Sequence, residues 1–442
     1  MFDRIFKSEF GKNVITLMSG TLIGQAIPFI ATFILTRIFT PEDFGVFAIY
    51  FSLVNILGTI STGRYEMAIL LPKSDLVAFD LVKISLVLSL LFSSLCFIVI
   101  LILQNFLKVF ILNTELIKYL YYLPLSIFGF AAYKVYTVWY TRVRQYKKIS
   151  LSIIVKSLSG VFFNIIIGYF FGLIGLFLGN IISSLFAVFI IRRNFFSDLS
   201  LKYDRSRKLL SLYYKFPLYD IPTSFVYTLS KHGIVLLINK GFSSVITGLY
   251  SMTERLLISP SQVFVGSYIQ VYNQQITEKY NLNHNINSFV IKNIVKISKV
   301  LGIPYVICVY SSFYFIPFVL GDNWSELYKY IYILSPLIFF SMVLNPLGYI
   351  LKILDKQNVS FIQHLVLTVV KLGCLFIFGF LLKFSILNVL MIYVISSLIV
   401  LMYNANIIFR LLFMSSTNKL MVFCIGCICI LLTIFNYYLI CQ

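Results

Sequence analysis

Apolar runs of twenty or more residues recur along the whole chain, and their length decides the fold class. Each can cross about 30 Å of hydrocarbon as a helix. Backbone amides and carbonyls find no water there, so a spanning segment must satisfy them internally, and helices become the default. A lipid-facing β-barrel would need segments of about ten residues with alternating polarity, a pattern this sequence lacks. Of the 442 residues, 60% are hydrophobic and only 12% are charged, with a mean hydropathy of +0.93. Ordinary soluble domains do not have that composition. The expectation is an all-α polytopic membrane protein.

The runs place spans near 14–38, 44–62, 82–107, 117–141, 151–171, 173–191, 216–239, 244–271, 297–320, 327–352, 360–382 and 386–409, with a thirteenth at 420–440. The N-terminal "MFDRIFKSEFGKN" puts charge ahead of an apolar stretch, as a signal peptide does. That stretch is too long for such a signal and lacks a small-residue cleavage pattern, so it is kept as the first span. Lys and Arg collect on the cytoplasmic side of short loops. With the N-terminus inside, 25 of the 36 basic residues fall in cytoplasmic segments, six in external ones and five within spans. The long basic connector 192–215 then separates an N-terminal six-helix lobe, 1–191, from a C-terminal six-helix lobe, 216–413, and leaves 414–442 for the extra helix. Orientation and contact with anionic lipid account for the connector's charge.

A repeat supports the division. Shifting "TRIFTPEDFGVFAIY" by 203 positions, onto "NKGFSSVITGLYSMT", pairs Arg37 with Lys240, Phe39 with Phe242, Thr40 with Ser243, Gly45 with Gly248, and Phe47 with Tyr250. Both stretches are predicted to turn between the first two spans of a half. Six spans is an even number, so the two bundles share one orientation and are related by a pseudo-two-fold axis along the membrane normal, as in parallel-repeat transporters.

Ionisable groups near the bilayer centre cost about 2.5–3.5 kcal/mol on insertion scales, so they usually face partners or a wet cavity. Asp220, Ser224, Tyr227 and Lys231 recur at helical spacing on one face of the seventh span. Ser251, Arg255, Ser259, Gln262 and Gly266 do so on the eighth, and His364, Thr368 and Lys371 on the eleventh. The first and fourth spans add Thr21, Gln25, Pro28 and Thr32, then Lys134, Thr137 and Thr141. One reading of the hydroxyls and amides is that they hold helices together by hydrogen bonds. The bases need more, because five lie within spans (Lys134, Lys156, Lys231, Arg255 and Lys371) against two acids, Asp220 and Glu254. A lumen with surplus positive charge suits an anion. Lys156 is expected to snorkel to the interface, and His364 to be a packing residue rather than a proton relay. Pro222, Pro336 and Pro346 are expected to loosen their helices.

The stretches "QAIPF", "TRIFTPEDFGVFA", "GRYEMAILLPK", "YYKFPLYDIPTSF", "GLYSMTERLLISP" and "GDNWSELYKYIYILSPL" resemble, in this order, the signatures of bacterial Wzx-type oligosaccharide flippases of the multidrug/oligosaccharidyl-lipid/polysaccharide exporter superfamily. The resemblance covers residues 10 to about 410. It implies movement of an undecaprenyl-diphosphate-linked repeat unit of an O-antigen or capsule across the bacterial inner membrane. It also implies alternating access through a cationic cavity, proton or sodium coupling, and association with the O-antigen polymerase and chain-length machinery. The thirteenth span departs from the usual twelve, as do Lys231 and His232, where relatives often have uncharged residues or proline.

On these grounds Lys134, Lys231, Arg255 and Lys371 are the expected diphosphate-binding residues, since Arg forks and Lys point charges both suit phosphate oxygens. Arg64 and Glu66 are assigned to a cytoplasmic gate, and Asp220 and Glu254 to ion coupling or to salt bridges that hold one state. Gln25, Ser224, Tyr227, Ser259, Gln262 and His364 are expected to line the cavity. Two rivals remain open. A cation-coupled drug antiporter of the same fold would suit surplus acid in the lumen, and a membrane O-antigen polymerase would suit a longer external loop with clustered catalytic groups. No Gly-rich phosphate loop appears, so no ATP hydrolysis is expected. No metal site or other cofactor is expected either: Cys424, Cys427 and Cys429 lie in an apolar run without His or carboxylate neighbours and read as packing residues.

Overall fold

The computed structural model describes residues 9–110, 114–192, 203–282 and 285–441. Among them run thirteen long helices and no strand: α1 (Glu9–Ile38), α2 (Pro41–Ile60), α3 (Asp75–Phe110), α4 (Leu123–Arg142), α5 (Tyr146–Phe171), α6 (Ile174–Ile191), α7 (Ile221–Gly241), α8 (Ser244–Asn281), α9 (Asn287–Leu320), α10 (Leu327–Leu344), α11 (Gln357–Cys374), α12 (Ile386–Leu411) and α13 (Ser416–Cys441). A π-helical turn, Phe216–Asp220, leads into α7, and a π-helical stretch, Leu375–Leu381, continues α11.

Eleven helical segments among the described residues are long and apolar enough to cross a membrane. Thirteen were expected. The two that fall short, α4 and α8, are long enough, but their ionisable groups dilute the apolar run: Lys134 and Arg142 in α4, Glu254 and Arg255 in α8. The span expected at 117–141 is also broken. A short helix, Thr114–Leu120, ends in a turn, and Pro124 sits in the first turn of α4, where its missing amide costs nothing. Pro346 interrupts the span expected at 327–352, separating α10 from the short helix Leu347–Ile353.

The connector expected at 192–215 is partly structured. Its helix Tyr203–Leu212 lays Leu209 into a buried cluster with Tyr65, Ile69, Ala78, Leu81 and Trp139, while Arg205 Nε lies 2.6 Å from Asp80 Oδ2. Residues 1–8, 193–202 and Gln442 lie outside the described residues. The chain divides into two units, Met1–His232 and Gly233–Gln442. The division falls inside α7, and Tyr213 and Phe216 pack against the first-unit cluster.

The repeated turn is a pair of N-caps. The Thr40 hydroxyl accepts from the Asp43 amide, and the Asp43 carboxylate accepts in return from the Thr40 amide at 2.9 Å, a reciprocal cap with Pro41 in the first turn. Ser243 accepts from the Ile246 amide at the start of α8. The phenylalanines beside these caps repeat too. Phe39 packs against Gly168 of α5, and Phe242 against Gly379, in the π-helical end of α11.

Within hydrocarbon, helices gain little from burying apolar side chains against each other, so close contact through small residues carries the packing. In the first unit α5 is gripped on two sides by glycine pairs spaced four apart. Gly20 and Gly24 of α1 meet Ser150, Ile153 and Ser157, and the Ser157 hydroxyl donates to the Gly24 carbonyl at 2.6 Å. Gly175 and Gly179 of α6 meet the Gly168 backbone and Asn164. In the second unit most of α10 is buried, and α13 docks on it through Asn436. The Asn436 amide donates to the Tyr332 carbonyl at 2.7 Å and accepts from the Tyr310 hydroxyl of α9 at 2.7 Å, so the thirteenth helix is an integral part of its unit.

A Cβ at Gly175 would lie 2.4 Å from the Gly168 backbone nitrogen, whereas one at Gly348 meets nothing within 4 Å. Gly175→Val should therefore cost about 1–3 kcal/mol or more through overpacking and lower the thermal unfolding temperature in detergent. Gly348→Ala should leave it unchanged, and equal behaviour of the two variants would contradict this packing.

Candidate functional site

Glu66 is the most buried acid the structure places near the expected gate, with its residue fully shielded from solvent. It does not sit on a span. α2 ends at Ile60, the chain turns through Gly63 and Arg64, both with left-handed φ near 60°, and a 3-10 helix, Tyr65–Leu70, carries the carboxylate inward. A non-glycine residue pays for that conformation unless neighbours hold it. Arg64 is held by its own product: its Nη1 donates to Glu66 Oε1 at 3.0 Å, while its backbone amide donates to the Thr62 hydroxyl. That hydroxyl in turn donates to Glu66 Oε2. From α4, Lys134 Nζ reaches Glu66 Oε1 at 3.2 Å. The structure thus brings together Arg64, Glu66 and Lys134, two bases around one acid.

α4 grips the same loop a second time, through a residue that was not among the expected site residues. Arg142 donates from Nη1 to the Ile69 carbonyl at 2.9 Å, from Nη2 to the Pro72 carbonyl at 2.6 Å, and from Nε to Asp75 at 3.0 Å. Lys134 and Arg142 are eight residues apart, just over two helical turns, so one face of α4 holds both ends of the segment 66–75. The signal was legible as a base followed by a second base at helical spacing, but its partners are carbonyls, which no composition count reveals.

The remaining first-unit residues are less tightly tied. The Lys231 ammonium lies 4.7 Å from the Tyr227 ring centroid, one helical turn away on the face predicted for them. Ser224 supplies only its carbonyl, to Thr228, and Asp220, at the end of the π-helical turn, makes no ion pair among the described residues. Gln25 is half-buried on α1. The expected snorkelling of Lys156 is not seen: its ammonium lies 4.4 Å over the Tyr133 ring of α4, where an aromatic face replaces interfacial water. The threonines correct another expectation. Thr21, Thr32, Thr137, Thr141 and Thr368 each donate to the carbonyl four residues earlier in their own helix, rather than across to a neighbour.

In the second unit two buried tyrosines lie beside two of the expected residues. The Tyr250 hydroxyl donates to Glu254 Oε1 at 3.0 Å, and the Lys371 ammonium lies 5.9 Å from the Tyr393 ring centroid. Tyr250 and Tyr393 are both buried. Neither tyrosine was among the expected site residues, although Tyr250 is the repeat partner of Phe47, and that substitution of a phenol for a plain ring was the available signal. Arg255 and Ser259 follow on α8 and are half-buried, while His364 is exposed on α11. The side chain of Gln262 lies outside the described residues. The four expected phosphate ligands divide evenly, Lys134 and Lys231 in the first unit, Arg255 and Lys371 in the second.

Removing one partner of a buried ion cluster strands the others, at about 3–5 kcal/mol. Glu66→Gln should therefore lower the unfolding temperature of the purified protein, and adding Lys134→Met should restore part of the loss. A double variant less stable than Glu66→Gln alone would contradict the pairing.

Residues 34–329 match the model of a family described as polysaccharide biosynthesis protein. No curated protein matches the chain. Among solved structures, the lipid II flippase MurJ in an inward closed conformation is similar at a TM-score of 0.68 and 14% identity, covering 96% of this chain and 97% of that one. An inward-facing multidrug resistance MATE family transporter of the MOP superfamily is similar at a TM-score of 0.60 and 16% identity, covering 90% and 96%. A MOP superfamily transporter from Pyrococcus furiosus reaches 0.58 at 16% identity, covering 92% and 97%. At those identities the likeness is one of fold, and it extends over nearly the whole of each chain. The family match spans well over half of this sequence, and the chain belongs to the polysaccharide biosynthesis protein family.

Proposed function

We propose that this protein is a flippase that carries an undecaprenyl-diphosphate-linked oligosaccharide repeat unit from the cytoplasmic to the outer leaflet of the bacterial inner membrane, by alternating access. The observation that carries this reading is the excess of base over acid inside the helices of a chain from this family. In the first unit the cluster of Arg64, Lys134 and Glu66 keeps one net positive charge, and Lys156 and Lys231 add two more against Asp220. In the second, Arg255 and Lys371 face one acid, Glu254, already tied to a tyrosine. A dianionic head group suits such a lining, and cationic drugs do not.

Within the proposal, Arg255, Lys371 and Lys231 hold the diphosphate, and Lys134 divides its charge between Glu66 and the substrate. Serines, Gln25 and the tyrosines meet sugar hydroxyls. The Arg64–Glu66–Lys134 cluster, with Arg142 gripping the following carbonyls, acts as the gate on the cytoplasmic side. The direction of transport agrees with an inside-negative potential, which favours outward movement of each uncompensated negative charge by about 2.3 kcal/mol per 100 mV. The step is movement alone, with no covalent chemistry assigned to any residue.

Deleting the gene should leave a diphosphate-linked repeat unit accumulating on the cytoplasmic face, read by extraction and mass analysis of the lipid pool. An unchanged pool with altered drug resistance would favour an antiporter. Hydrogen bonds to charged groups are worth about 1.5–3 kcal/mol, so Arg255→Ala or Lys371→Ala should each cut complementation by about tenfold or more at unchanged protein level. Full complementation by both variants would overturn the assignment.

A further inference from the structure

The basic end of α4 and α6 holds a cup that the transport reading does not use. Trp139, Tyr140, Val143, Gln145, Lys148 and Arg192 enclose about 380 Å³. Its two cations rest on rings: Lys148 Nζ lies 4.9 Å from the Tyr140 centroid, and the Arg192 guanidinium carbon 4.3 Å from the Phe189 centroid. No acid pairs with either among the described residues. Arg192 also lines a second cavity, an almost wholly apolar groove of about 450 Å³ between α4 and α6, walled by Phe128, Ala132, Leu185, Val188 and Phe189 and floored by Gly129. Both volumes lie in the range of about 300–1,000 Å³ that holds small ligands.

The two cavities make one amphipathic site. From Phe128 in the groove to Trp139 in the cup, the pair of cavities follows α4 for about 16 Å at the helical rise, close to one leaflet of a hydrocarbon core about 30 Å thick. Lys148 and Arg192 line its basic mouth, in a region whose sequence also carries Arg144 and Lys147, and Phe186 and Phe189 stand exposed on α6. The geometry points to a bound phospholipid with an anionic head group: phosphate in the cup on Lys148 and Arg192, ester and glycerol oxygens within reach of Gln145 and Trp139, and one acyl chain in the groove. Charge complementarity and the one-leaflet depth both favour a glycerophospholipid of the surrounding bilayer over the much longer undecaprenyl chain. On the orientation proposed above the site faces the cytoplasmic leaflet, and its occupancy is independent of which substrate the protein moves.

The chain has two tryptophans, and only Trp139 lies in the cup; Trp324 is buried in the second unit. The full-length Trp324→Phe protein, reconstituted in vesicles, should show stronger Trp139 quenching by phosphatidylglycerol brominated in its acyl chains than by phosphatidylcholine brominated alike. Lys148→Ala with Arg192→Ala should lower the apparent affinity for brominated phosphatidylglycerol about tenfold and abolish the selectivity, while Lys147→Ala should leave it. Native mass spectrometry of the unmodified chain, counting phosphatidylglycerol retained against phosphatidylcholine, gives the same answer without a tryptophan substitution. Equal quenching and equal retention of the two lipids, selectivity that survives the double substitution, or displacement of phosphatidylglycerol by equimolar undecaprenyl diphosphate would each overturn the assignment.

Discussion

Because hydrocarbon supplies no hydrogen-bond partner, every polar group carried into it must find one inside the protein, and the helices are arranged around that requirement. The backbone meets it by helix formation, and threonines such as Thr21, Thr32, Thr137, Thr141 and Thr368 meet it by donating to their own helices. Where the backbone breaks, a side chain intervenes. Thr40 and Ser243 cap the second helix of each half, and Arg142 takes up the carbonyls of Ile69 and Pro72 at and just past the end of the 3-10 helix. Asn436 joins three helices by giving its amide to one carbonyl and accepting one hydroxyl.

The same requirement governs charge. A lone carboxylate at Glu66 would be untenable where no solvent reaches it, and the surrounding loop adopts two left-handed residues in a row so that Arg64 and Thr62 can serve it from one side and Lys134 from the other. Strain in the loop and compensation of the charge are therefore one device. In the second unit the Tyr250 hydroxyl serves Glu254. Glu66 and Glu254 are thus bound to partners, and bases outnumber acids inside the helices.

Length and apolarity were legible at once, because a spanning helix must be long and greasy whatever it packs against. The repeat at Thr40 and Ser243 was legible for a related reason: an N-cap is a local device, written in adjacent residues. Packing was harder. The glycine pairs Gly20 and Gly24, and Gly175 and Gly179, stand at the spacing that lets helices approach, yet only coordinates show that both grip α5. Lys156 and Lys134 illustrate the limit for sites, since a lysine near a helix end can snorkel, stack or pair, and sequence does not choose among them. One stacks on Tyr133 and the other pairs with Glu66, each decided by a neighbour brought in from another part of the chain. With 30 tyrosines in the chain, the burial of Tyr250 and Tyr393 beside charged residues is not marked by residue type.

The central claim is that this chain alone moves a diphosphate-linked glycolipid between leaflets. Its most direct test is the transbilayer movement of an undecaprenyl-diphosphate-linked oligosaccharide in vesicles containing only the purified protein, followed by the exposure of the sugar to an impermeant lectin. The account predicts protein-dependent exposure that needs no ATP and is faster when the potential drives negative charge toward the lectin side. Exposure no faster than in protein-free vesicles, in preparations that do exchange a cationic drug, would contradict it.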